Sequence, residues 1–431
     1  MSRLLLHFLL TLVRVFYTPI RAVFSGGRPP TGPRIFVANH PNGLLDPVIV
    51  RLALGSDVHF LAKSTLFRSA IGRFTLGAFG GIPVYRARDG QNTQDNERTF
   101  AACRDVLAAG GSIALFPEGT SHSDPSLKPL KTGAARIALS AVAERGLVSL
   151  PIYPTGLTYE SKDVFRTGVL ATFGEPIDAA VFARQHGTDF AAAEALTEDI
   201  HRALSGVLLE ADTQELWRGF LAVAAWTDPV CRDDLAARHA RARVLRDAFQ
   251  RLHSQDPAAA ETLVERARSL VRAMEQAGVS DPLAIAEPPP IAPLGSVALL
   301  LLVWPLAAVG AVLAWAPYRL VRPIALRIAG SDTDLVSTVK LLLGLAVLAA
   351  TYSLEALVVG VSVGPVAGLA TLVLGPALGF VALRYGERLE ARQSVLRAHW
   401  LRATAAQRRT ALLESREALA VAVADALGTT P

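Results

Sequence analysis

Leu341–Leu383 is an apolar stretch of about 43 residues. A helix needs only about 20 apolar residues to cross a hydrocarbon core of about 30 Å, so this run is too long for one crossing. It divides near Gly360–Gly364, which predicts two spans joined by a tight, uncharged turn. Arg319, Arg322, Arg327 and Lys340 precede the pair, and Arg384, Arg388, Arg392 and Arg397 follow it. Positive flanks on both sides predict a hairpin with both ends in the cytoplasm. A third apolar segment, Ser296–Trp315, has about 20 residues and contains Pro305. If the N-terminal half shares the cytoplasmic side, this segment enters and leaves by one face, as a re-entrant or interfacial element bent at Pro305. The alternative is three full spans with the C-terminal tail on the opposite side.

The bulk properties agree with membrane contact: 51% of the 431 residues are hydrophobic, and the mean hydropathy is +0.34. That length exceeds one compact core and predicts two or three units. A net charge of +5 favours anionic headgroups and anionic substrates. Nucleic acid is excluded as a partner, because the basic residues are dispersed over apolar helices and no reading module is recognisable. Cys103 and Cys231 stand far apart without metal-like spacing and predict two buried or idle thiols in a reducing compartment.

Residues 1–29 read as an amphipathic helix at the membrane interface, kinked at Pro19. Arg3, His7, Arg14 and Arg21 fall within roughly 40° of one another on a helical wheel. The same stripe also suits a helix packed on the globular part. Residues 30–184 alternate short apolar runs with helical patterns, the signature of an α/β domain. The strand candidates are Arg34–Ala38, Val58–Ala62, Gly81–Tyr85, Ser112–Phe116, Val148–Tyr153 and Val169–Phe173, with helices over Gln94–Ala109 and Thr132–Ala143. Residues 185–286 form a helical region. Leu245 with Leu252 and Leu263 with Leu270 repeat every seven residues, and Asp256-Pro257 breaks the run, as in an antiparallel hairpin. Residues 287–293 are a stiff proline-rich linker. The membrane segments occupy 294–384, and 385–431 is an amphipathic tail with Leu389, Leu396 and Ala403 in heptad register. That tail either packs on the 185–286 helices or lies solvated on the membrane.

Two loops carry the chemistry. Asn39-His40-Pro41-Asn42-Gly43-Leu44-Leu45-Asp46-Pro47 follows the apolar run Ile35–Ala38, and Phe116-Pro117-Glu118-Gly119-Thr120-Ser121-His122 follows Ile113–Leu115. Strand ends of this kind expose polar groups at the rim of a sheet. A histidine and a carboxylate on one loop can deprotonate an alcohol near neutral pH, since the carboxylate fixes the imidazole tautomer and stabilises the cation. This makes acyl transfer to a hydroxyl the first hypothesis. The sequence holds no Gly-x-Ser-x-Gly elbow, which disfavours a serine nucleophile and favours direct transfer. Backbone N–H groups near Gly119 or Gly43 are candidates for an oxyanion site. No metal cluster, nucleotide-binding glycine loop or flavin fingerprint is evident.

His40 with Asp46, the run Gly81-Ile82-Pro83-Val84-Tyr85-Arg86, Phe116-Pro117-Glu118-Gly119-Thr120, and the proline-bearing strand Val148–Pro154 resemble four ordered blocks of the glycerolipid acyltransferase superfamily. The resemblance covers roughly residues 30 to 180. It implies a mixed α/β catalytic domain of that type, here with an added helical region and C-terminal membrane helices. Two departures stand out: five residues separate His40 from Asp46 where the family usually has four, and Ser121-His122 follows the threonine where an arginine is usual. Both resemble the fungal-type glycerol-3-phosphate/dihydroxyacetone-phosphate branch, as does Leu127-Lys128-Pro129-Leu130-Lys131-Thr132-Gly133. They tilt the acceptor toward a small glycerol phosphate.

The resemblance also implies roles. His40 is the general base and Asp46 its partner. Arg86 binds phosphate, and the Glu118-Gly119-Thr120 block meets the acceptor, with Glu118 bonding a glycerol hydroxyl or orienting Arg86. Lys128 and Lys131 either add charge beside the next helix N-terminus or belong to a solvated loop. The donor is acyl-CoA or acyl carrier protein, a co-substrate rather than a bound cofactor. The implied location is the membrane, with the catalytic domain on the cytoplasmic face where acyl thioesters are made and membrane lipids as neighbours. A lysophosphatidate or lysophospholipid acceptor and a non-catalytic membrane scaffold are the competing readings.

Overall fold

The computed structural model describes residues 2–85, 96–279, 281–286, 294–330 and 334–428. The chain divides into two units, Met1–Gln214 with Ser331–Leu341, and Glu215–Gly330 with Leu342–Pro431. The first unit is built on eight strands: β1 (Tyr17–Phe24), β2 (Arg34–Ala38), β3 (His59–Lys63), β4 (Gly81–Val84), β5 (Ser112–Leu115), β6 (Pro151–Tyr159), β7 (Thr167–Phe173) and β8 (Ile177–Asp178). Their order is β1-β7-β6-β2-β5-β3-β4, with β8 beside β6. From β4 through β6 every pairing is parallel; β7 and β8 run antiparallel to β6.

β2 is buried along its whole length, as a central parallel strand must be. Its side chains alternate between two apolar layers. Ile35 and Val37 join Ile113, Leu115 and Ile152 under the helices that contribute Leu107, Leu139 and Leu196. Phe36 points to the other face, among Ile49, Val50, Tyr153 and Tyr17. Cys103 lies in the first layer as a free thiol, and burial pushes its pKa up to about 12.

Two expected boundaries move. The helix expected over residues 1–29 ends at Phe16, and Tyr17–Phe24 is an edge strand running parallel to β7. Helical-wheel counting carried Arg21 onto the helix, but the alternating burial of Tyr17–Phe24 has the period of a strand. Pro19 is tolerated there because an edge strand has one side free of ladder bonds. The other boundary lies beyond residue 184: helix Phe190–Ser205 packs Ala193, Leu196 and Ile200 into the core of the first unit, capped at its start by Asp189. The linker expected over 287–293 lies outside the described residues.

In the second unit, helices Leu235–Gln255 and Pro257–Ala277 pack together, and Asp256 caps the second through the Ala259 N–H. Helix Ala406–Leu427 packs on Pro257–Ala277, burying Leu412, Leu419 and Val423. The expected heptad face is a different one: Leu389 and Leu396 remain exposed, because they ride on the long helix Pro365–Thr404 that continues out of the apolar run.

Helices Val336–Ser362 and Pro365–Leu401 are long and apolar enough to cross a membrane, and the break between them falls at Val363-Gly364. Gly360 and Gly368 let the two helices meet: a Cβ on Gly368 would come 2.6 Å from the Ala356 carbonyl oxygen. Helices Val297–Leu313 and Trp315–Ala329 are bent by 47°. The bend lies at Ala314, whereas Pro305 sits within a continuous helix.

Because Leu196 fills the core beneath β2, Leu196→Ala should destabilise the first unit by about 2–5 kcal/mol. Denaturant unfolding in detergent micelles measures this; a change below about 0.5 kcal/mol would place the helix outside that core.

Candidate active site

β2 and β5 are neighbours in register from Arg34↔Ser112 to Val37↔Leu115, so the loops that leave their carboxyl ends emerge side by side. Asn39 extends the order past the end of β2. Its side-chain amide donates to the Leu157 carbonyl at 3.1 Å and its oxygen accepts the Leu157 N–H at 2.7 Å, imitating a further rung of the β2–β6 ladder. His40 follows at once.

The chain then reverses through Pro41-Asn42-Gly43, with Gly43 at φ +46°, a conformation that glycine adopts without steric cost. A short turn over Gly43–Leu45 delivers Asp46 to the start of helix Asp46–Leu54, with Pro47 in its first turn. The extra residue of this loop is absorbed there, and the His40 Nδ1 and Asp46 Oδ2 atoms lie 2.8 Å apart.

Asp46 has 0% exposure, and donors converge on its carboxylate. Oδ2 also accepts the Asn42 N–H at 2.7 Å, and Oδ1 accepts the Tyr159 hydroxyl at 2.6 Å. Asn42 Nδ2 donates to the Tyr17 hydroxyl at 2.6 Å, which donates in turn to the Lys162 carbonyl at 2.6 Å. With Asp46 acting as acceptor, the network assigns the imidazole proton to Nδ1 and leaves Nε2 with its lone pair for a substrate. The ring is stacked on Phe116, centroid to centroid 4.2 Å.

Glu118 ties the two loops together. It is 4% exposed. Oε1 accepts the His40 N–H at 3.1 Å, while Oε2 accepts the Lys128 N–H at 2.9 Å and contacts His122 Nε2. The His122 N–H closes the link by donating to the His40 carbonyl at 3.1 Å. Both carboxylate oxygens thus hold donors from the chain itself.

Gly119 has φ +69°, and a Cβ there would come 2.6 Å from Lys131 Nζ, so the lysine side chain lies across the glycine. The Gly119 N–H donates to the Phe116 carbonyl at 3.0 Å, which engages one expected oxyanion donor within its own turn. Thr120 Oγ1 donates to the Ser121 carbonyl at 3.3 Å, and Lys128 Nζ pairs with Asp124 at 3.1 Å. Lys131 is anchored by its N–H to the Pro117 carbonyl at 2.9 Å, just before helix Gly133–Arg145. Arg86 lies outside the described residues.

Sequence reasoning found the histidine and both carboxylates but missed Tyr159, Tyr17 and Lys162. The expected strand stopped at Tyr153, whereas β6 runs on to Tyr159 and carries that hydroxyl to Asp46. The strand-favouring run Leu157-Thr158-Tyr159 was the available signal. Ser121-His122, noted as a departure, brings in the second histidine of the site.

Residues 21–158 match the Acyltransferase family model, so this part of the chain is an acyltransferase domain. Within that class the chain is similar to glycerolipid acyltransferases, among them fungal glycerol-3-phosphate acyltransferases. It is 42% identical over 83 residues (19% of this chain, 11% of the relative) to glycerol-3-phosphate O-acyltransferase 2 of Saccharomyces cerevisiae. It is 33% identical over 113 residues (25% and 15%) to glycerol-3-phosphate O-acyltransferase 1 of the same yeast. The chloroplastic 1-acyl-sn-glycerol-3-phosphate acyltransferase BAT2 of Brassica napus is 29% identical over 120 residues (28% and 32%). The chain therefore spans a third or less of the length of these relatives.

Burial raises the pKa of both Tyr159 and Tyr17, and the nearby Asp46 carboxylate adds to it. A raised folded-state pKa means stability that is complete below the ordinary tyrosine pKa of about 10 and lost as pH climbs toward the folded value. Urea midpoints of the first unit should fall steadily above about pH 10, by up to about 1.4 kcal/mol per pH unit for each tyrosine. The double variant Tyr17→Phe/Tyr159→Phe should flatten that alkaline slope; an unchanged slope would contradict the burial of these hydroxyls.

Proposed function

We propose that this chain is a membrane-bound O-acyltransferase that moves a fatty acyl group from an acyl thioester to the hydroxyl of glycerol-3-phosphate or dihydroxyacetone phosphate. The observation that carries the reading is the 2.8 Å pair of His40 Nδ1 with a wholly buried, hydrogen-bonded Asp46, which leaves Nε2 as a base. Nε2 takes the acceptor's hydroxyl proton as its oxygen attacks the thioester carbonyl, and Asp46 stabilises the imidazolium that forms. Collapse of the tetrahedral intermediate breaks the C–S bond, and the imidazolium returns the proton to the leaving thiolate.

The acceptor phosphate is assigned to Arg86 and to Lys131 beside Gly119, with Lys128 and the N-terminus of helix Gly133–Arg145 adding positive potential. Glu118 and Thr120 shape the loop on which that phosphate lands. The donor is acyl-CoA or acyl carrier protein, and the reading requires no resident cofactor.

Two apolar helices support membrane association. We place the acyltransferase domain on the cytoplasmic face. The first turns of Val336–Ser362 belong to the same unit as the domain, Lys340 binds Asp163 there, and both ends of the apolar pair are flanked by arginine or lysine. A lysophosphatidate acceptor is the second reading, favoured by the plant relative's likeness over 28% of this chain.

Membranes containing the protein should transfer radiolabelled palmitate from palmitoyl-CoA to glycerol-3-phosphate or dihydroxyacetone phosphate, and His40→Ala should reduce the rate at least 100-fold, consistent with loss of a general base. Product from lysophosphatidate alone would move the reaction to the second acylation. Undiminished transfer by His40→Ala would remove the mechanism.

A further inference from the structure

Lys162 belongs to none of the four sequence blocks, yet separate segments of the site meet on it. Its Nζ donates to the Pro41 carbonyl at 2.9 Å and to Ser123 Oγ, bridging the residue after His40 to the residue after His122. Its own carbonyl accepts the Tyr17 hydroxyl at 2.6 Å and Ser337 Oγ at 2.7 Å. Ser337 opens helix Val336–Ser362; Lys340, one turn on, holds the Asp163 carboxylate at 3.1 Å, and Asp334 just before the helix accepts from Ser121 Oγ. The lysine thereby joins both catalytic loops to the head of a candidate membrane span.

We propose that Lys162 is a positioning residue for the His40–Asp46 pair: it clamps the His40 loop to the loop after β5 and so holds the imidazole in its bond to Asp46. This rests on the acyl-transfer reading. A general base has to be held within hydrogen-bond reach of the proton it takes, so loosening the loop that carries it costs rate.

The charges around the clamp support this. Lys162 is faced by Asp46, by Asp124 from the loop after β5, by its neighbour Asp163 and by Asp334. Asp124 pairs with Lys128, Asp163 with Lys340, and Asp334 with the Ser121 hydroxyl. Asp46 is bound by His40, Asn42 and Tyr159. His40 itself is faced by Asp46 and, across the loop, by Glu118 and His122. Burial lowers the Lys162 pKa, and the four carboxylates oppose that fall.

The experiment compares full-length Lys162→Met, Lys162→Arg and Ser123→Ala with the parent protein in membranes. Two quantities are read: kcat and KM for acyl transfer, and the rate of diethyl pyrocarbonate modification at His40, quantified on its peptide by mass spectrometry. The second needs no turnover. In Lys162→Met kcat should fall about 10-fold or more with both KM values little changed, and His40 should be modified several-fold faster as its loop loosens. Lys162→Arg should recover most of the parent kcat. Ser123→Ala loses one arm of the clamp, so kcat should fall several-fold. A parent-like kcat and modification rate in Lys162→Met, or a parent-like kcat in Ser123→Ala, would overturn the clamp. If the parent transfers no acyl group, the transfer reading fails while the modification rate still judges the lysine.

Discussion

A carboxylate removed from water costs several kcal/mol unless donors replace the water it loses, and Asp46 sits at 0% exposure. Most of the local architecture around it supplies those donors. The Asn42 N–H comes from the turn, the Tyr159 hydroxyl from the end of β6, and the imidazole from the end of β2. Each needs a neighbour to hold it in place: Asn39 locks the end of β2 to β6, Phe116 stacks on the imidazole, and Tyr17 holds the Asn42 amide. The carboxylate is thus a geometric centre as well as an electrostatic one. Loss of any donor leaves a buried acceptor without its partner, a cost of about 1–3 kcal/mol.

The sheet explains why this centre can exist. Parallel strands bring their carboxyl ends to one edge, so loops 78 residues apart in sequence meet as neighbours, and Glu118 reaches the His40 N–H. The candidate membrane span divides its length between two tasks. Of the 27 residues in Val336–Ser362, those from Leu341 onward alone extend about 33 Å, enough for the hydrocarbon core. The turn before them is free to bind the acyltransferase domain through Ser337 and Lys340.

What the sequence revealed and what it concealed divide along the range of the interactions. His40, Asp46 and Glu118 were readable because short motifs carry them at the ends of apolar runs, and the central strands were readable because β2 and β5 are apolar along nearly their whole length. Tyr159 lies 113 positions from Asp46, and the Lys162 carbonyl lies 145 positions from Tyr17 and 175 from Ser337; no local pattern encodes such pairings. The edge strand Tyr17–Phe24 was hidden for the same reason, since its partner β7 lies far along the chain. Helix Phe190–Ser205 was assigned to the wrong unit because its Ala- and Leu-rich face has the same period whether it covers a sheet or another helix.

The direct test of the account is the tautomer of His40. Nitrogen-15 NMR of histidine-labelled protein in micelles, with His40→Gln to assign the signal, reads which ring nitrogen carries the proton when the imidazole is neutral. The account predicts a protonated Nδ1 donating to Asp46 and a bare Nε2. A neutral ring protonated at Nε2 would leave no base facing the substrate and would contradict it.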